Sequence, residues 1–167
     1  MRRCRTTGVG CSPSRSTSVE RTTRISNEDR ERAQAIRTAQ VELDRVVREA
    51  RQAFRVNPST PTRLDVSLHR GGVTRRVVYN CPPAGTAGAA RSCTRSEVAA
   101  DGSLTGTTTV IQRVTTASPF AYTPAAGTTE HVGITVETPA SGERVSGRNH
   151  LVRLSDGFAV RNRGLVP

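Results

Sequence analysis

Apolar residues recur with a helical period over residues 25–56. Acidic residues crowd the start of this segment after Ser26, where a helix dipole favours them, and Pro58 marks its end. Spacings of three, four and seven residues place the apolar side chains on one face of a helix. The pattern predicts one long amphipathic helix over 25–56, packed on a sheet through a stripe formed by Ile36, Leu43, Val47, Ala50 and Phe54.

The pattern then changes to a period of two, which is typical of a strand with one buried face. Two alternating runs flank Gly71–Gly72, a dipeptide suited to a two-residue hairpin turn. Pairing across this turn sets Val66 opposite Val77 and Leu64 opposite Tyr79, on the face that we expect to meet the helix. Asp65, Ser67 and His69, which alternate with these residues, point away from the helix, to solvent or to another layer.

Further alternating segments predict strands over 107–115, 130–138 and 149–162, with the last strand broken at Asp156–Gly157. We therefore predict an α+β fold, in which the helix packs on one antiparallel sheet of about six strands. Residues 1–24 are rich in Arg, Ser and Thr and predict a disordered leader. The domain organisation is then a leader at 1–24, a helix at 25–56 and a β head at 57–167.

Cys81 and Cys93 stand at the ends of two predicted strands, separated by a loop of small residues. A metal site, a reactive thiol and a disulfide are three interpretations of this pair. Metal-binding spacing is lacking and no histidine is placed to activate a thiol, so a disulfide is favoured. A disulfide indicates an oxidising, extracytoplasmic location. Cys4 and Cys11 match no zinc or redox spacing, and we interpret them as incidental.

All 25 basic residues are Arg, and the net charge of +11 makes nucleic-acid binding an alternative function. The positive excess is divided between residues 1–24 and 56–167 and forms no dense stripe. With two Tyr, three Phe and no Trp, aromatic stacking on bases is poorly supplied. The charge therefore predicts at most weak DNA binding through arginine.

The sequence contains none of the motifs that identify common catalytic or nucleotide-binding sites. His69, His131 and His150 are dispersed along the chain, and exposed strand positions account for them. The carboxylates show no spacing that marks an acid–base pair. We predict a non-catalytic protein, with no catalytic, metal or cofactor-binding residues and no cofactor.

Several segments together resemble a known family: "RTAQVELDRVVREARQAFRV", "RLDVSLHRGG", the cysteine-closed loop, "FAYTP", "HVGITVET" and "FAVRNR". Over residues 28–163 the chain is similar to prepilin-like proteins, the type IV pilins and type II secretion pseudopilins, especially minor members from GC-rich Gram-positive bacteria. The resemblance implies a structural subunit of a cell-surface pilus or secretion apparatus, acting through assembly and surface presentation. It implies partners among other pilin-like subunits and a location at the cell surface or membrane.

The sequence departs from this family in its first residues. Family members carry a Gly-Phe-Thr-Leu-x-Glu motif and about twenty apolar residues that anchor them in the membrane, whereas residues 1–24 are polar. We expect a membrane contact only if an anchor segment exists that the given start or reading frame omits. No processing residue is assigned.

Overall fold

The computed structural model describes residues 16–82, 91–124, 129–139 and 151–160, with side chains from Asp29 onward. Helix α1 is followed by eight strands. Their bounds are α1 Ser16–Ala50, β1 Ala53–Val56, β2 Arg63–Arg70, β3 Val73–Asn80, β4 Arg91–Val98, β5 Leu104–Val114, β6 Phe120–Thr123, β7 His131–Pro139 and β8 Leu151–Ala159. Four parts of the sequence interpretation lie outside the described residues: Cys4, Cys11, His150 and the end of the "FAVRNR" segment, Arg161–Arg163. The loop after Cys81 is likewise not described over 83–90.

The strands form two antiparallel sheets. One has five strands in the order β1-β2-β3-β4-β5, and the other has three in the order β6-β7-β8. The predicted fold, a long helix on one sheet of about six strands, is therefore wrong. The described residues are mostly antiparallel β structure, with eight strands in two sheets and a single helix.

Two short strands explain much of this difference. β1 continues the apolar spacing of α1, so its four residues resembled a last helical turn that includes Phe54. The chain instead turns at Arg51–Gln52 and pairs Ala53 with Leu68 of β2. β6, also four residues long, lies between Pro119 and Pro124 in a segment rich in Ser, Thr and Pro, a composition typical of a loop. Strands this short are too brief to display a recognisable alternation.

The helix also begins earlier than expected, at Ser16, and ends at Ala50, six residues before the predicted end. The last strand differs too, because β8 runs through Asp156 and Gly157 without a break. Gly157 allows the ring of His131 to approach the backbone closely at this point. Glycine in a strand interior often marks such a close approach.

The hairpin register is confirmed. Val66 pairs with Val77 and Leu64 with Tyr79, and the turn glycines Gly71 and Gly72 have φ of 61° and 79°. Both positions lie in the left-handed region, which glycine adopts without a steric cost. The turn chemistry therefore sets which side chains of β2 and β3 face the helix.

One hydrophobic core joins all the layers. It contains side chains from the C-terminal half of α1, from the helix-facing side of the five-stranded sheet and from the inner side of the three-stranded sheet. Backbone hydrogen bonds also connect the sheets, from Phe120 N to Pro61 O at 3.0 Å and from Thr115 N to Glu137 O at 2.8 Å. The head is therefore one packed unit on which the helix is seated.

Candidate functional site

The two predicted cysteines are joined. Cys81 follows β3 and Cys93 lies in β4, and their sulfur atoms are bonded with a Cα–Cα distance of 4.2 Å. Both residues are buried in the core. The bond closes the base of the loop between β3 and β4 and so restricts the ends of these two strands.

The five residues of the predicted helix stripe differ in burial and in the element to which they belong. Leu43, Val47 and Ala50 are buried against the sheets, whereas Ile36 is half-buried. Phe54 does not lie on the helix, because it belongs to β1, and it is half-buried there. Packing is therefore concentrated in the last turns of α1.

A polar cluster holds this end of the helix on the sheet. Glu49, in the last turn of α1, accepts three hydrogen bonds: from the Tyr79 hydroxyl to Oε2 at 2.6 Å, and from Arg95 Nε to Oε2 at 2.9 Å and Nη2 to Oε1 at 2.7 Å. Arg95 also donates to Glu97 at 3.1 Å. We call Glu49, Tyr79 and Arg95 the helix clasp, since they join α1, β3 and β4 through side chains alone.

Electrostatics fix the protonation states in the clasp. Desolvation on its own would raise the pKa of Glu49, but the hydrogen bonds from Arg95 and Tyr79 and the charge of Arg95 outweigh it, so this pKa lies below its ordinary value. Desolvation raises the pKa of Tyr79 far above its ordinary value, and its hydrogen bond to Glu49 raises it further. The clasp therefore joins a carboxylate, a neutral phenol and a guanidinium, an arrangement suited to holding elements together.

Sequence reasoning missed the clasp. Glu49 is 30 residues from Tyr79 and 46 from Arg95. The available signal was weak: a carboxylate in the last helical turn faces the negative end of the helix dipole, which is unfavourable unless a cation compensates it.

A second charged cluster lies on the opposite side of the five-stranded sheet. Asp65 is 1% exposed and accepts Arg76 Nε at 2.9 Å on Oδ1 and Arg76 Nη2 at 2.8 Å on Oδ2. Asn57 Nδ2 donates to Asp65 at 2.8 Å, and Arg63 lies 3.6 Å away. The hydrogen bond to Asp65 raises the pKa of Arg76 above its ordinary value.

The expectation that Asp65 faces away from the helix, toward solvent or another layer, is thus refined: it points to that side but is covered by its partners. Arg55 extends from β1 on the same side, because it pairs with Ser67, which shares a face with Asp65. We call Arg55, Arg63 and Arg76, together with Asp65, the arginine face. It carries more positive than negative charge and is the described cluster best suited to contact an anion.

A cleft of 380 Å³ opens between α1 and the ends of β5 and β7. Glu42 forms part of its wall and accepts the backbone N–H of Gln112 at 3.0 Å. Arg113, beside it, has φ of 57°, which is uncommon for a residue with a side chain. The cleft marks the point at which the helix leaves the head.

Within the described ranges, no three His, Cys, Asp or Glu side chains come together in a way that could hold a metal ion. The same part of the chain contains no helix with the length and apolar content needed to cross a membrane. Comparisons with protein-family models, with curated proteins and with solved structures find no match to this chain.

Proposed function

We propose that this chain is a non-catalytic, pilin-like or pseudopilin-like structural subunit of a cell-surface pilus or secretion apparatus. The observation that carries the proposal is the unequal packing of α1. The helix is fixed to the head by its last turns, whereas its side chains from Asp29 to Gln34 are all exposed. Ala39 is the first helical position that is buried among the described side chains.

The helix backbone begins at Ser16, well before the first buried position among the described side chains. Over the described side chains that precede Ala39, from Asp29 to Thr38, it extends about 14 Å at 1.5 Å per residue. Most of the stability of protein helices comes from packing of one face against other elements, and not from propensity. A helix that is clasped by its last turns and exposed from Asp29 to Gln34 is therefore suited to pack against another subunit.

An exposed apolar side chain supports the same inference. Val41 lies on α1, one residue from a position on the cleft wall, and is 68% exposed. It points away from the core that Leu43 and Val47 enter. Single exposed apolar residues are common, but this one lies on the element that we propose as the assembly surface.

The disulfide supports an extracytoplasmic location for the head, since disulfides persist mainly in oxidising compartments. In this proposal the partners are other pilin-like subunits, which contact the helix, while the loops of the head present surface to the outside. The alternative function, an arginine-rich nucleic-acid-binding protein, is favoured by one observation, the arginine face.

The assembly proposal can be tested in the native cell with a photo-crosslinking amino acid. It replaces Val41 in one strain and, as a matched control, Val73 in another, because Val73 is also an exposed valine, 55% exposed, but lies at the hairpin tip of β3. We expect crosslinks from Val41 to other helix-bearing subunits or to further copies, and few from Val73. Equal crosslinking at both positions, or none at Val41, would overturn the proposal.

A further inference from the structure

We propose that the arginine face binds a phosphate group over Ser67, between Arg55 and Arg76. The three residues form one row across the sheet, because Arg55 pairs with Ser67 on β2 and Ser67 pairs with Arg76 on β3. Adjacent strands lie about 4.8 Å apart, so the two arginine Cα atoms are about 10 Å apart across the smaller serine. Two long cationic side chains thus flank a short hydroxyl side chain.

Arg76 is held in place before any ligand arrives. Its Nε and Nη2 atoms bind the buried carboxylate of Asp65, which leaves Nη1 available. A guanidinium has five N–H donors in a rigid plane, so this arrangement still presents unused donors outward. The Arg76 side chain is 47% exposed, although its partner Asp65 is almost completely covered. Fixing the cation in this way lowers the entropic cost of binding an anion.

The charge of the arginine face is not balanced internally. The face has three arginines and one carboxylate: Arg63 and Arg76 lie within ion-pair distance of Asp65, and Arg55 has no ion-pair partner among the described residues. Since Asp65 is buried and directed at Arg76 and Arg63, the surface that remains exposed is cationic. An anion that binds there meets the guanidinium groups before it meets the carboxylate.

Ser67 supplies the remaining donor. Its Oγ accepts a hydrogen bond from Asn57 Nδ2 at 3.1 Å, so its hydroxyl proton can be donated to a ligand. A phosphate carries oxygens on several sides and can therefore accept from two arginines and a hydroxyl at once. A single carboxylate is planar and is satisfied by one arginine fork. The geometry therefore favours a phosphate, either free or in the backbone of DNA.

The test uses the full chain labelled with ¹⁵N, and follows the arginine Nε–H signals by NMR while inorganic phosphate is added at constant ionic strength. We expect the Arg55 and Arg76 signals to move together and to saturate. Arg55→Gln should weaken binding by about fivefold to tenfold, because it removes one charge-assisted contact. Arg70→Gln is the matched control, since Arg70 is an exposed arginine on β2 whose side chain lies on the helix-facing side.

A second variant, Ser67→Ala, tests the hydroxyl contact and should weaken binding by about twofold to fivefold. Thermal unfolding of each variant establishes that it remains folded. Equal loss of affinity in Arg55→Gln and Arg70→Gln would show unspecific charge screening and overturn the proposal. Linear, unsaturable shifts with phosphate and with DNA would overturn it as well.

A parallel titration with a short DNA duplex distinguishes the source of the phosphate. Saturable shifts with both ligands, lost in Arg55→Gln, assign a site for phosphate groups in general. Shifts with the duplex alone, falling steeply with added salt, assign the site to the phosphodiester backbone and support the nucleic-acid alternative. Shifts with inorganic phosphate alone support the site as one for the free anion. The phosphate site does not require that the helix assembles, so the failure of either proposal leaves the other standing.

Discussion

Replacing Glu49 by Gln tests whether the helix clasp holds α1 on the head. Glutamine keeps the shape of the side chain but removes its charge and turns one acceptor into a donor. That new N–H₂ group faces the donors of Tyr79 and Arg95, which approach the carboxylate at 2.6 to 2.9 Å. The substitution therefore leaves at least one donor without an acceptor.

The magnitude follows from the burial of the pair. The side chains of Glu49 and Arg95 are 22% and 18% exposed, between a surface pair and a fully buried one. Exposed ion pairs contribute up to about 1 kcal/mol, and breaking a buried pair costs about 3–5 kcal/mol. We expect Glu49→Gln to reduce the free energy of unfolding by about 2–3 kcal/mol, because Arg95 retains Glu97 as a partner.

Two further variants separate the contributions. Tyr79→Phe removes only the phenol donor while its ring remains buried, so it should cost about 1.5 kcal/mol. Asp44→Asn changes a carboxylate of α1 that is exposed, and its cost should stay below about 0.5 kcal/mol. In the double variant of Glu49 and Tyr79 the two losses should not add, because both remove the same hydrogen bond.

Urea unfolding followed by circular dichroism measures these differences, and its pH dependence gives an independent check. The clasp lowers the pKa of Glu49 in the folded state, so its contribution is complete above the ordinary glutamate pKa and is lost as pH falls through the lower folded value. The gap between the natural chain and Glu49→Gln should therefore narrow between about pH 5 and pH 3. A gap below about 0.5 kcal/mol at pH 7, or one that acid does not narrow, would refute the reasoning.

Three further predictions concern the rest of the head. Replacing Cys81 and Cys93 together by Ser should lower the free energy of unfolding by about 3 kcal/mol in urea titrations, because the disulfide reduces the entropy of the unfolded chain. Reductant should have no further effect on this variant, and a clearly smaller loss would contradict the entropic explanation. Gly157→Ala should cost about 1–3 kcal/mol, because its Cβ would lie 2.7 Å from a backbone oxygen of β7, whereas a Cβ at Gly133 meets only a methyl carbon at 3.8 Å, so equal thermal stability of the two alanine variants would contradict this. Desolvation and the nearby Asp65 charge raise the pKa of Tyr122 to about 12, so ultraviolet titration should find no tyrosine ionising near pH 10 while the protein is folded.

Some parts of the structure could be predicted because they depend on neighbouring residues. The register of β2 and β3 follows from the Gly71–Gly72 turn, since the turn type determines which residues stand opposite each other. The burial of Leu43, Val47 and Ala50 follows from helical spacing. The proximity of Cys81 and Cys93 followed from their places at the two ends of one loop.

Other parts were decided only when the chain was folded. Whether consecutive strands share a sheet depends on hydrogen bonds between distant segments. The local alternation of apolar and polar residues therefore could not show that β5 and β6 belong to different sheets. β1 has the apolar spacing of a helix end, yet it pairs with β2, because tertiary pairing overrides a propensity of a few tenths of a kcal/mol per residue.

The two charged clusters show the same limit. The sequence by itself determined that Asp65 lies on the side of the hairpin sheet that faces away from the helix, through the period-two alternation of β2 and β3. Only the tertiary structure decided that Glu49 would meet Arg95 and that Asp65 would be covered by Arg76. The physical reason is that a strand pattern specifies the face on which a side chain lies, whereas the partner of a buried charge depends on which residues of other strands and of the helix are brought within hydrogen-bond distance.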